Sequence, residues 1–277
     1  MGLKIGELKS GNFDIDKPVL LYDSENHKIF WVGSSENHIF RCNAYLVVSE
    51  KGNVLIDPGG VLHFNQVKKR VTEVLGDPSK VTHIVSHHQD PDVSSSIPMW
   101  FKINPDVTLI TTPRTKVLLP YFGFDREKVK WLDVSPLDDT ILDLGNGNGL
   151  LFLTSPFLHF PDAFVTYDIG AKVLFSSDIF AAIQPKWQLV VTDMERHKKD
   201  MMYFHVYYMA SQKALKYFVD KVKPFPIDAI VPQHGSIIPK EYVEEAFGFL
   251  ANLRCGIDLL TKESPVKSVM DELFGDI

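Results

Sequence analysis

Three histidines and three aspartates stand where short apolar runs break into turns: His88, Asp90 and Asp92 in His88-Gln89-Asp90-Pro91-Asp92, then His159, Asp178 and His234. Imidazole nitrogens and carboxylate oxygens are donors for divalent metal ions, and one ion takes about four to six ligands. Six such groups suit two ions better than one. Each cluster alone is weak, but together they fall at predicted strand ends, where open α/β architectures gather their ligands.

Other residues admit a functional and a plain reading. Asp57, in Ile56-Asp57-Pro58-Gly59, either orients a ligand histidine or closes an Asx turn. His83 and His87 share a strand face opposite to His88, which favours packing or a supporting role over ligation. His205 lies in the aromatic helical stretch Tyr203-Phe204-His205-Val206-Tyr207-Tyr208 and reads as core or as a further ligand. Tyr167, Tyr203 and Trp187 are candidates for a pocket wall, although aromatics at such spacings usually belong to a core. The glycine-rich run from Leu144 to Gly149 joins two strand-like runs with no helix after it, so it predicts a hairpin turn and not a phosphate loop. The stretch from Glu195 to Asp200 reads as a solvated loop and helix start.

The elements that must position these groups can be read from periodicity. Strands are expected at Val19 to Tyr22, Ile29 to Val32, Asn43 to Val48, Asn53 to Ile56, Thr82 to His87 and Val107 to Thr111. Further strands are expected at Leu151 to Thr154, Ala163 to Asp168, Val173 to Ser176 and Ala229 to Val231. Val67, Val71 and Leu75 at four-residue spacing predict a helix from Phe64 to Leu75. Ser94 to Ser96 can cap another that runs to about Ile103, a long helix is expected near Asp200 to Val222, and a last one from about Glu241. Strands with flanking helices, given twice, imply two sheets back to back with helices outside. The expected organisation is one domain over 1–277 with a core from about 20 to 250. The tail from Ser264 to Ile277, with Val269, Leu273 and Phe274 on one helical stripe, either packs on that domain or meets a partner.

Composition narrows the function classes. A formal net charge of −6 opposes a nucleic-acid partner, which needs a basic face to displace counterions. No apolar run approaches the roughly 20 residues that span a bilayer, and the first residues lack the apolar stretch of a secretory signal. Two cysteines far apart, Cys42 and Cys255, fit a reduced, cytoplasmic setting without a membrane partner.

The order His88-x-Asp90-x-Asp92, His159, Asp178 nineteen residues later, and His234 resembles the metallo-β-lactamase-like domain of flavodiiron proteins. Asn43-Ala44-Tyr45-Leu46-Val47 and Leu55-Ile56-Asp57 extend the match over roughly residues 40 to 240. The resemblance implies an α/β, metallo-β-lactamase-type αββα four-layer sandwich with two iron ions. His88, Asp90 and His159 would hold one ion, Asp92 and His234 the other, with Asp178 and an oxo or hydroxo group bridging them. Hydrolytic zinc relatives usually carry a histidine where Asp90 stands. His88, His159 and Asp90 form a two-histidine, one-carboxylate set, the arrangement of non-haem iron with open positions. Three aspartates cancel three of the four charges of two ferrous ions, and one bridging hydroxide would leave the centre near neutral.

The sequence departs from that family's pattern in three places. Asp90 replaces the usual glutamate, Val93 stands where a further histidine ligand is expected, and the chain stops about 40 residues after His234 without a flavodoxin-like segment. The last two make it similar to the oxygen-binding diiron proteins of bacterial chemotaxis. That resemblance implies O2 or NO binding without flavin in this chain, and a sensor more than a stand-alone reductase. A chemotaxis signalling protein would be the listener, an external donor such as a rubredoxin would be needed for turnover, and a homodimer is a reasonable expectation. The competing expectations are a zinc hydrolase, against which Asp90 and Val93 speak, and a binding module whose metal is only structural.

Overall fold

The computed structural model describes residues 2–34 and 41–260, so the stripe of Val269, Leu273 and Phe274 lies outside the described residues. Among the described residues fourteen strands form two sheets. The first runs in chain order: β1 (Gly2–Leu3), β2 (Val19–Ser24), β3 (His27–Trp31), β4 (Tyr45–Ser49), β5 (Gly52–Ile56), β6 (His83–Val85), β7 (Thr108–Thr111) and β8 (Lys130–Asp133). The second holds β9 (Ile141–Gly145), β10 (Asn148–Thr154), β11 (Phe164–Asp168), β12 (Val173–Ser177), β13 (Ala229–Pro232) and β14 (Ile238–Pro239), in the reverse of chain order. Strands β5 to β8 are parallel, as are β12 and β13; the remaining neighbours are antiparallel.

The helices are α1 (Ile5–Leu8), α2 (Phe64–Leu75), α3 (Pro91–Ser94), α4 (Ile97–Ile103), α5 (Pro113–Leu118), α6 (Met194–Tyr208), α7 (Gln212–Val222) and α8 (Lys240–Asn252). Period-two alternation explains the layering. Val54 and Ile56 face the other sheet with Trp31, Tyr45, Val85, Phe152, Phe164, Phe175 and Val231, whereas Leu55 joins Leu46, Ile84 and Leu109 under α2 and α4. On the far side Leu153, Val165, Leu174 and Ile230 meet Phe204 of α6, Phe218 of α7 and Phe247 of α8. Each fully buried side chain of that size contributes about 1.5–3 kcal/mol. The result is the expected αββα sandwich, and among the described residues no helix is long and apolar enough to cross a membrane.

Two local expectations hold closely. In α2, Val67 and Val71 are buried, and Gly76 at φ 76° closes the helix with its N–H on Thr72 O. Asn146 and Gly147, at φ 52° and 77°, make the turn between β9 and β10, the left-handed pair that an Asn-Gly hairpin requires.

Others need correction. The single helix expected from Asp200 to Val222 is two, because Ser211 accepts from Ala214 N–H and starts α7 after α6 has ended at Tyr208. Ser96 precedes α4 but its hydroxyl does not cap it; it donates to Pro58 O, while Ser94 Oγ donates to His88 O. The stretch from Glu195 to Asp200 is the first turns of α6, with Asp193 accepting from Arg196 N–H, and His197 and Asp200 within it are buried and not solvated. The strand expected through His87 ends at Val85, where the chain leaves the sheet to deliver its polar groups.

Candidate metal centre

The loop after β6 is pinned from below. Ser86 N–H donates to Ile110 O, Thr111 Oγ1 donates to Ser86 O, and Ser86 Oγ donates to His88 O. Neighbouring side chains then part. His87 Nδ1 donates to Asp57 Oδ2 at 2.7 Å and its Nε2 accepts from Thr166 Oγ1 at 2.8 Å. Asp57 therefore fixes His87, a packed histidine, and does not orient a ligand. Its φ of 48° is the strained conformation that lets the carboxylate also accept His87 N–H. His88 takes the other direction, its Nδ1 hydrogen-bonded to Ser177 Oγ at 3.2 Å. Asp90 sits extended before Pro91, as the residue preceding a proline must, and Asp92 falls in the first turn of α3.

The remaining ligand candidates come from the second sheet. His159 lies between β10 and β11, in a loop closed by Leu158 N–H on Ser155 O and Phe157 N–H on Phe160 O. Asp178 follows β12 directly after Ser177, whose φ is 52°. His234 follows β13, and its Nδ1 donates to Arg41 O at 3.0 Å, which turns Nε2 inward.

The six predicted groups converge. His88 Nε2 and His159 Nε2 stand 3.3 and 2.9 Å from Asp178 Oδ2, and 3.8 and 3.4 Å from Asp90 Oδ2. On the other side His234 Nε2 lies 3.1 Å from Asp92 Oδ2 and 3.6 Å from Asp178 Oδ1. The two oxygens of Asp178 thus face two different donor groups.

Charge follows from this crowding. Burial works against the Asp178 carboxylate, yet His88, His159 and His234 hold it well below the usual range. Burial equally opposes charge on His159, but its hydrogen bonds to Asp178 and Asp90 push it up to about 10. His234 is buried too, and Cys42 and Asp92 beside it raise it well above an ordinary histidine. Protons here hold together groups that a cation would hold instead. Asp178 Oδ1 is buried without a hydrogen-bond partner, an expensive state for a carboxylate oxygen unless a cation takes it. The donor set and this orphan oxygen both fit a pair of divalent metal ions.

Several expectations change. His205 is buried with both nitrogens in use, Nδ1 donating to Met201 O and Nε2 accepting Phe180 N–H; burial lowers it to about 4, so it is a neutral core histidine. Tyr167 points away, its hydroxyl on Pro226 O, and Trp187 bonds Gly235 O beside the His234 loop. Aromatic rings against the ligand candidates include Tyr208, 5.7 Å from His159, and Phe204, 5.9 Å from His234. Sequence reasoning missed Cys42, whose Sγ is 3.7 Å from Asp92 Oδ2 and which groups with Asp92 and His234. The signal was present in its place one residue before Asn43, within the recognised stretch.

Comparison with known proteins agrees with this fold. The family model described as ODP family beta lactamase matches residues 40–235. The structure is similar to that of the chemotaxis sensor ODP, solved as a peroxy diiron species and in the apo state from T. denticola. The TM-score is 0.77 at 32% identity, covering 88% of this chain and 97% of that one. Curated relatives include the flavo-diiron protein FprA2 of Clostridium acetobutylicum, 30% identical over 72% of this chain and 50% of the relative. Another is the putative diflavin flavoprotein A 2 of Synechocystis sp., 28% identical over 71% of this chain and 33% of the relative. The chain spans half or less of the length of these two curated relatives.

Proposed function

The chain belongs to the family described as ODP family beta lactamase, and on that premise we propose that it is a non-haem diiron protein that binds O2, or NO, and acts as an oxygen sensor. His88, Asp90 and His159 would hold one iron and Asp92 and His234 the other, with the Asp178 carboxylate reaching both groups. The observation that carries this reading is the split of the Asp178 carboxylate, one oxygen toward each histidine group. When bound, a ferrous pair supplies an open coordination position and the electrons that a diatomic gas requires.

The chain's own residues do the rest. Ser177 and the Arg41 carbonyl set the rings of His88 and His234, so their Nε2 atoms arrive oriented. Phe204 and Tyr208, stacked 4.5 Å apart, stand against His234 and His159. The imidazolium protons leave when metal enters, because only neutral histidine ligates. A chemotaxis signalling protein is the proposed listener, in the cytoplasm, and a rubredoxin-like donor would matter only if the bound gas were turned over.

The test is anaerobic purification, metal analysis and optical spectra before and after O2. Two irons per chain and a new visible absorption that persists under O2 are expected. Zinc at full occupancy with esterase activity and no spectral response would overturn the reading. Transient colour with continued O2 uptake from a donor would replace sensing by reduction.

A further inference from the structure

The two donor groups are unequal if only the six histidines and aspartates are counted. With Asp178 shared, the first side has His88, Asp90 and His159, whereas the second has only Asp92 and His234. Val93, wholly buried in α3, offers no donor in the position where the family pattern expects one. Cys42 stands on the deficient side: it is 4% exposed, its Sγ is 3.7 Å from Asp92 Oδ2, and the ligand atoms of Cys42, Asp92 and His234 all lie within 4.8 Å of one another.

This placement is built into the backbone. Cys42 and His234 pair as an isolated antiparallel bridge, and Asn43 N–H donates to Gln233 O at 2.6 Å. Asn43 Nδ2 donates to both Pro232 O and Gly235 O, and Tyr45 OH donates to Pro232 O. Cys42, Asn43 and Tyr45 are thereby stitched to the segment that carries His234. The buried Asp178 Oδ1, without a hydrogen-bond partner, is aimed at the same side.

We propose that Cys42 is a protein ligand of the second metal ion, its sulfur completing a four-donor set with Asp92, His234 and Asp178. The inference rests on the two-metal reading above. Binding displaces the thiol proton to solvent and leaves a thiolate on the ion, so proton and charge balance without an oxidant. Two divalent ions then meet three carboxylates and one thiolate, and the buried centre is neutral on protein ligands alone. A sulfur donor also makes the two ions chemically different, softer on the Cys42 side.

The test loads apoprotein with Co(II) and records ultraviolet and visible spectra of the wild type, Cys42→Ser, Cys42→Ala and Cys255→Ala. The wild type and Cys255→Ala should take up two ions and show the intense sulfur-to-cobalt charge-transfer absorption. Cys42→Ser and Cys42→Ala should lose that absorption, keep the first ion, and bind the second at least about tenfold more weakly. Two ions in the wild type without a sulfur band, or a band that survives in Cys42→Ala, overturns the assignment and leaves the two-metal reading intact. Fewer than two ions in the wild type overturns both. The wild-type and Cys255→Ala spectra together decide even where a Cys42 variant fails to fold.

Discussion

Two kinds of buried histidine–aspartate contact occur in this molecule, and they differ in arithmetic more than in chemistry. His27 and Asp168 form a closed pair between the sheets: His27 Nε2 donates to Asp168 at 2.8 Å, Nδ1 bonds Ser49 Oγ, and the other Asp168 oxygen accepts Ala171 N–H. His87 with Asp57 and Thr166 is closed in the same way. At the candidate metal centre three imidazoles crowd onto Asp178, and one of its oxygens still lacks a hydrogen bond. A pair in which every atom is answered supports the fold; a surplus of converging donors with an orphan acceptor is a place for a cation.

The largest effect that tests this contrast is Asp178→Ala, which on the proposed reading removes a donor from both ions. It should reduce bound metal from two ions to fewer than one per chain, as counted by metal analysis. Retention of both would break the comparison. His27→Ala addresses the other side. It leaves Asp168 buried without its partner and should destabilise the protein by about 3–5 kcal/mol in denaturant unfolding, with metal content unchanged.

The smallest effect is in pH. The His159 value of about 10 lies above the ordinary 6.5, so the folded apoprotein holds a proton that the unfolded chain releases first. That stabilisation is complete below pH 6.5 and is lost as pH rises through about 10. The apoprotein should therefore melt at falling temperature from neutrality toward pH 10, by several degrees, whereas the metal-loaded form, already deprotonated at His159, should not. Thermal melts of both forms across that range would show it. His205, held neutral at about 4, adds a separate loss as pH falls from 6.5, in both forms.

Much of the fold was legible because period-two and four-residue spacings report which face of an element is buried. Val54, Leu55 and Ile56 alternate between the two cores as their pattern requires, and Val67 and Val71 pack α2. The break between α6 and α7 was not legible, since Ser211 resets the helix while apolar spacing continues across it. The short edge strands β1 and β14, and α5, were missed for a similar reason: two to six residues hold too few repeats to show a period.

The six metal-ligand candidates were recognisable from residue type and order alone, because strand ends followed by His or Asp mark themselves locally. What local pattern cannot carry is the distance between segments remote in the chain. Only tertiary structure separated His88 from its neighbour His87, committed His205 to the core, turned the two oxygens of Asp178 toward different groups, and laid Cys42 against His234. The physical reason is that periodicity encodes which side a residue faces, whereas ligation depends on where the backbone hydrogen bonds of Asn43, Gln233 and their neighbours bring separate strands together.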